Sequence, residues 1–154
     1  MKVKKNKYDN FVEIICLTLL VGVFIYLFVK WSSIPDKIPV HYNAAGEVDR
    51  IGSKGELLII PIVAWLMYLG LTVVGRFPKI WNTGVSVTEE NKEQVYRILK
   101  NMLSTVKLLV VAVFVYITIN SSKGISLSVW FLPIFLILMF GSIIYFIVKL
   151  VQAK

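Results

Sequence analysis

The chain has 154 residues, of which 57% are hydrophobic and only 17% charged, with a formal net charge of +8. Soluble proteins run nearer to about 45–50% apolar and about 25% charged. A soluble domain of this size buries only about 70% of its unfolded surface and would leave large apolar patches in water. The composition therefore excludes an ordinary soluble domain, and charges clustered between long apolar runs indicate a bilayer-spanning chain.

The first apolar run, residues 14–29, contains no charge and follows lysines 2, 4, 5 and 7. With residues 11–13 it gives a first span over about 11–30, long enough for the hydrocarbon core. The run is longer than a signal-peptide core and no Ala-x-Ala site follows it, so a retained anchor is expected. Cys16 lies inside it. A single cysteine cannot form an internal disulfide, and this one reads as a small apolar packing residue. Glu13, in the first turn, is expected to reach water and favour the helix dipole.

Residues 31–54 form an outer loop dense in special residue types. Pro35 and Pro39 stiffen it and bias the preceding residues toward extended backbone. Asn43-Ala44-Ala45-Gly46 suits a type I turn, which predicts a short hairpin pairing 40–42 with 48–50. Gly52 is expected to end the second strand. Ser53 and Glu56 then form a capping box that starts a helix near Lys54. An isolated hairpin is marginal in water, so this one is expected to pack on helix ends or the lipid interface. Pro35, Pro39, Gly46, Gly52, Ser53 and, in the next helix, Pro61 are the candidate structural residues. His41, Asn43, Glu47, Asp49, Arg50 and Lys54 are the candidate ligand-binding residues.

Three readings compete for that polar set. A metal site would draw on His41, Glu47 and Asp49, but one histidine with two carboxylates lacks the ligand set of a structural zinc site; no metal or cofactor is assigned. Acid–base chemistry would use His41 with Asp49 or Glu47, but no nucleophile elbow or HExxH motif accompanies them; no catalytic residue is assigned. The plain alternative is a self-satisfied loop. In it His41 and Asn43 bond backbone groups, and Arg50 and Lys54 pair with Asp49, Glu47 or lipid phosphate.

The second span covers about 55–75, with Pro61 expected to bend its first turns. Residues 88–101 are polar, with Val95, Ile98, Leu99 and Met102 at helical spacing, predicting an amphipathic helix on the cytosolic side. It reads first as an extension of the third span, about 102–120, and alternatively as a docking face for a cytosolic regulator. Lys107, inside that span, is expected to snorkel to the interface. The fourth span covers about 126–148. No internal repeat, buried acid or broken helix supports a transporter of the inverted-repeat kind.

Twelve lysines and arginines fall on the side of the termini and five on the other, which places both termini in the cytoplasm of a multi-pass cell-membrane protein. Trp31 and Trp130 then mark the outer interface and Trp81 the inner one. The basic excess reflects this topology and anionic lipid. Since the cations sit at helix ends, nucleic-acid binding is not expected.

The string from Ile34 to Lys54 resembles a family of bacterial membrane proteins known as domain of unknown function 1648. The resemblance rests on Pro35, Ile38, Pro39, His41, Tyr42, Asn43, Gly46, Asp49, Gly52, Ser53 and Lys54, with Pro61 beyond. Relatives that join this domain to a second membrane module look like the immunity protein against a sporulation-delaying toxin. The resemblance thus implies immunity and sequestration of a repressor, although four spans are too few for both modules.

The expected fold is a single all-α membrane domain, a four-helix bundle with a short outer hairpin. The first expected function is a binding, immunity-type or envelope-stress protein whose outer loop receives an extracellular peptide, toxin or envelope ligand. A membrane enzyme using His41 with Asp49 or Glu47 is the second reading. A small transporter subunit acting as a homo-oligomer is the third.

Overall fold

The computed structural model describes residues 3–153. Lys2 and Lys154, counted above among the cations beside the termini, lie outside the described residues. Four helices are long and apolar enough to cross a membrane. They are α1 (Lys7–Lys30), α2 (Ile59–Val74), α3 (Lys92–Ser122) and α4 (Phe131–Gln152). Between α1 and α2 stand the strands β1 (Lys37–Tyr42) and β2 (Val48–Ser53), paired antiparallel.

The start of α1 is fixed by a cap at Asn6, whose side chain accepts from the Asp9 N–H at 2.8 Å while the Asp9 carboxylate accepts from the Asn6 N–H at 2.9 Å. This reciprocal cap begins the helix before the apolar run does. α2 is preceded by a 3-10 turn over Lys54–Leu58. Pro61 therefore falls in the first turn of α2 proper, where its missing N–H leaves no internal bond unmade. α3 is one continuous helix from the polar stretch through the span, as the extension reading expects. It is preceded by a turn in which Thr88 and Asn91 bond each other: the Thr88 N–H donates to Asn91 Oδ1 at 2.8 Å and the Asn91 N–H to Thr88 Oγ1 at 3.3 Å.

The helices do not close into a symmetric bundle. α1 and α2 both pack on α3 around Val12, Cys16, Leu20, Ala64, Tyr68 and Val111. α4 packs chiefly on α3, and none of the residues in its apolar window is buried. Its sequence explains this: apolar side chains run around the whole circumference, so no single seam is favoured and the remaining faces suit lipid. At the end carrying the termini, Val95 and Leu99 are buried against Leu150 and Ala153. Of the apolar face weighed above as a regulator's docking site, Val95 and Leu99 are thus covered by the chain itself, while Ile98 and Met102 are half-buried.

The hairpin sits at the opposite end. Ile38 and Leu57 join Leu27 and Ile34 in a small core of their own, which answers the marginal stability of two strands alone. The strands are longer than the sequence indicates. Gly52 does not end β2; it pairs with Ile38, and the strand continues through Ser53. A Cβ on Gly52 would lie 2.5 Å from Glu56 Oε1 and 2.7 Å from Val40 Cγ1. The glycine is there for close approach, letting the Glu56 carboxylate fold back to accept from the Ser53 N–H at 2.8 Å.

Candidate functional site

The turn at the hairpin tip is closed by the Gly46 N–H donating to the Asn43 carbonyl at 2.9 Å. Gly46 has φ +82°, the left-handed residue that follows a type I turn in a three-to-five-residue hairpin loop. Asn43 organises the rest. Its Oδ1 accepts from the Ala45 and Glu47 N–H groups at 2.9 and 3.0 Å, and its Nδ2 donates to Glu47 Oε2 at 2.9 Å.

Strand pairing is irregular between Pro39 and His41 and between His41 and Tyr42. Bulges of this kind re-aim side chains. Here His41 stands opposite Arg50 in the ladder, yet its Nδ1 lies 2.6 Å from Asp49 Oδ1. Both side chains are largely exposed. An imidazole held at Nδ1 by a carboxylate presents Nε2 outward.

The tip is docked on the rest of the protein. The Leu127 N–H, in the loop between α3 and α4, donates to the Gly46 carbonyl at 2.8 Å, and the Tyr42 hydroxyl donates to the Ile125 carbonyl at 3.1 Å. Burial pushes the Tyr42 phenol above its ordinary pKa, keeping it a neutral donor. The Ser121 hydroxyl, at the end of α3, bonds the Pro39 carbonyl. Pro39 lies on the strand edge facing α3, where a missing N–H costs the ladder nothing. Beneath the docked tip is a cavity of about 380 Å³. His41, Tyr42 and Asn43 line its hairpin side, and Phe114, Ile117 and Phe131 are among its apolar walls.

Four of the six candidate ligand-binding residues thus form two pairs, His41 with Asp49 and Asn43 with Glu47. The remaining two do not join them as expected. Lys54 donates to the Ile34 carbonyl at 3.0 Å and lies 4.9 Å from the centre of the Trp31 ring, so it braces the base of the hairpin and not its tip. Arg50 makes no ion pair among the described residues. Glu47 is held by Asn43, so His41, Glu47 and Asp49 do not converge on one point. Asn43 does bond backbone groups, as the plain reading has it, whereas His41 takes a carboxylate.

A second polar cluster lies toward the termini, and sequence reasoning missed it. Glu13 does not simply face water, and Lys107 does not snorkel. The Lys107 ammonium donates to Glu13 Oε2 at 2.8 Å and to Thr72 Oγ1 at 3.2 Å, and the Tyr68 hydroxyl donates to the other Glu13 oxygen. The Lys107 side chain is 8% exposed, too deep for its head to reach solvent freely. One turn nearer the terminus, buried Asp9 accepts from Arg97 Nη1 at 2.8 Å and Ser104 Oγ at 3.2 Å. These pairs join α1 to α3 through charges that each need the other. The available signal was an acid near the start of the first apolar span and a base near the start of the third.

The family comparison bears on the hairpin half. Residues 18–65 match the family described as Domain of unknown function (DUF1648). The match runs from within α1 through both strands to the first turns of α2, and includes the motif from Ile34 to Lys54. An uncharacterized protein of Archaeoglobus fulgidus is 33% identical over 78 residues, covering 46% of this chain and 41% of the relative. The chain thus spans less than half the length of that relative. No solved structure matches the chain.

Proposed function

We propose that the chain is a cell-membrane binding protein of the immunity or envelope-stress kind, with cytoplasmic termini and an outer hairpin that receives an extracellular peptide or envelope ligand. The observation that carries this reading is the cavity under the hairpin tip. Its apolar walls suit a hydrophobic side chain or acyl group, while His41 and Asn43 at its rim suit the polar part of the same molecule. The tip is fixed by its bonds to Leu127 and Ile125, so little ordering has to accompany binding. The paired charges Glu13 and Lys107 neutralise each other near one end of the spans, which does not favour a conducting path. The resemblance to immunity proteins points the same way.

Two experiments test this reading. In the first, His41→Ala and Asp49→Asn are combined in a deletion strain of the source organism and challenged with membrane-active peptides. The double variant should lose protection at unchanged protein level; full protection would remove this pair from the function. Asn43 and Lys54 are left intact because their bonds are structural. In the second, topology is read with an impermeant thiol reagent on intact cells. A cysteine at exposed Ser53 should react and one at exposed Ser86 should not; the reverse result would invert the orientation.

The oriented His41–Asp49 pair also favours a second reading, acid–base catalysis at the membrane surface, since a carboxylate on one ring nitrogen leaves the other ready to exchange a proton. Ligand-induced thermal stabilisation without turnover supports binding. Turnover lost in His41→Ala supports catalysis.

A further inference from the structure

At the end carrying the termini, the segment before α1, the turn after α2 and α3 meet around a cleft of about 290 Å³. It is lined by Val3, Lys5, Gly75, Arg76, Pro78 and Lys100. It adjoins the cavity of about 100 Å³ beside Glu13 and Lys107, sharing Lys5, Gly75, Arg76 and Lys100 with it.

The charges here are unbalanced. The two carboxylates bordering the smaller cavity are already engaged, Asp9 by Arg97 and Glu13 by Lys107, each at 2.8 Å. Lys100 stands 4.0 Å from Asp9 and donates to the Val3 carbonyl at 2.7 Å. Lys5 and Arg76 are exposed and make no ion pair with any described residue. Three chain segments therefore bring three cations to one cleft with no free acid among them, a concentration of like charge that an anion would relieve. Gly75 permits close approach where α2 meets α3, since a Cβ there would lie 3.2 Å from the Leu71 carbonyl oxygen and 3.3 Å from Leu103 Cδ2.

The neighbouring surface is apolar. Val73, Val74 and Phe77, immediately beside Gly75 and Arg76, are all exposed. A soluble anion would have no use for them, whereas the acyl chains of a lipid would lie along them.

We propose that this cleft binds the phosphate of an anionic phospholipid in the adjacent leaflet. Arg76 and Lys5 contact the phosphate oxygens, the Arg76 fork matching phosphate geometry, and Val73, Val74 and Phe77 contact the chains. This site is independent of the hairpin and of the function proposed for it.

Native mass spectrometry of the detergent-solubilised full chain provides the test, with phosphatidylglycerol, phosphatidylcholine and inorganic phosphate offered separately. The chain should retain phosphatidylglycerol in preference to phosphatidylcholine. Lys5→Gln/Arg76→Gln should weaken that retention roughly tenfold or more, as loss of two cations at an anionic surface implies. Lys5→Arg/Arg76→Lys should keep most of it, and Lys37→Gln, on the hairpin, should leave it unchanged. Equal retention of the two lipids, or undiminished phosphatidylglycerol binding by the double glutamine variant, would overturn the proposal. Inorganic phosphate held in the cleft without lipid retention would overturn the lipid assignment and make soluble phosphate the ligand.

Discussion

Lys107→Met should lower the melting temperature of the detergent-solubilised protein by an amount corresponding to about 3 kcal/mol, the range found when one member of a buried ion pair is removed. The variant leaves the Glu13 carboxylate between α1, α2 and α3 with only the Tyr68 hydroxyl as partner. At 24% exposure the Glu13 side chain keeps only part of its contact with water, so the lost ammonium is not fully replaced. Glu13→Gln should cost less, because the amide oxygen can still accept from Lys107, whose ammonium also keeps its bond to Thr72 Oγ1. The double variant Glu13→Gln/Lys107→Met should recover much of the loss, since neither group then carries an unpaired charge. A Lys107→Met protein that melts with its parent would show that the pair is solvated and adds nothing to helix association.

Gly46→Val should be the most damaging change in the hairpin. At φ +82° a β-branched residue is strained by about 1–2 kcal/mol. The added Cβ would also lie 2.8 Å from the Leu127 carbonyl oxygen, so the turn cannot keep its place on the loop between α3 and α4. The bond from Leu127 to the Gly46 carbonyl is lost with it. Together these give an expected loss of about 2–3 kcal/mol, read as a lower melting temperature and faster proteolysis at the hairpin tip. Gly84→Val is the matched control. Gly84 has φ +65° but nothing near its Cβ position, so it should show the strain alone. Equal losses at the two positions would mean that docking of the tip adds no stability.

The parts of the fold that local chemistry dictates were legible in the sequence. Apolar run length located four spans, Asn43 and Gly46 located the turn, and Ser53 with Glu56 located the start of the second membrane helix. Gly52 was misread because its reason is spatial. It looks like a strand breaker, whereas its missing side chain makes room for Glu56 and Val40. The charge pairs were hidden for the same reason. Lys107 and Glu13 are 94 residues apart, and Arg97 and Asp9 88, so no spacing rule connects them. Within the candidate site, Asn43 and Glu47 are four residues apart and their pairing is a local matter. The meeting of His41 with Asp49 depends on bulges that the alternation of residues does not announce.

α3 differs from the other membrane helices in one respect: its 31 residues include neither glycine nor proline, whereas each of the others contains at least one. At about 1.5 Å per residue it is about 45 Å long, more than the hydrocarbon thickness. Lacking the residues at which helices usually kink, it behaves mechanically as a single strut. One end is tied to the hairpin through Ser121 and Pro39, and the other is tied to α1 through Arg97 and Asp9. The hairpin and the Arg97–Asp9 contact are therefore held at a fixed separation by one unkinked helix.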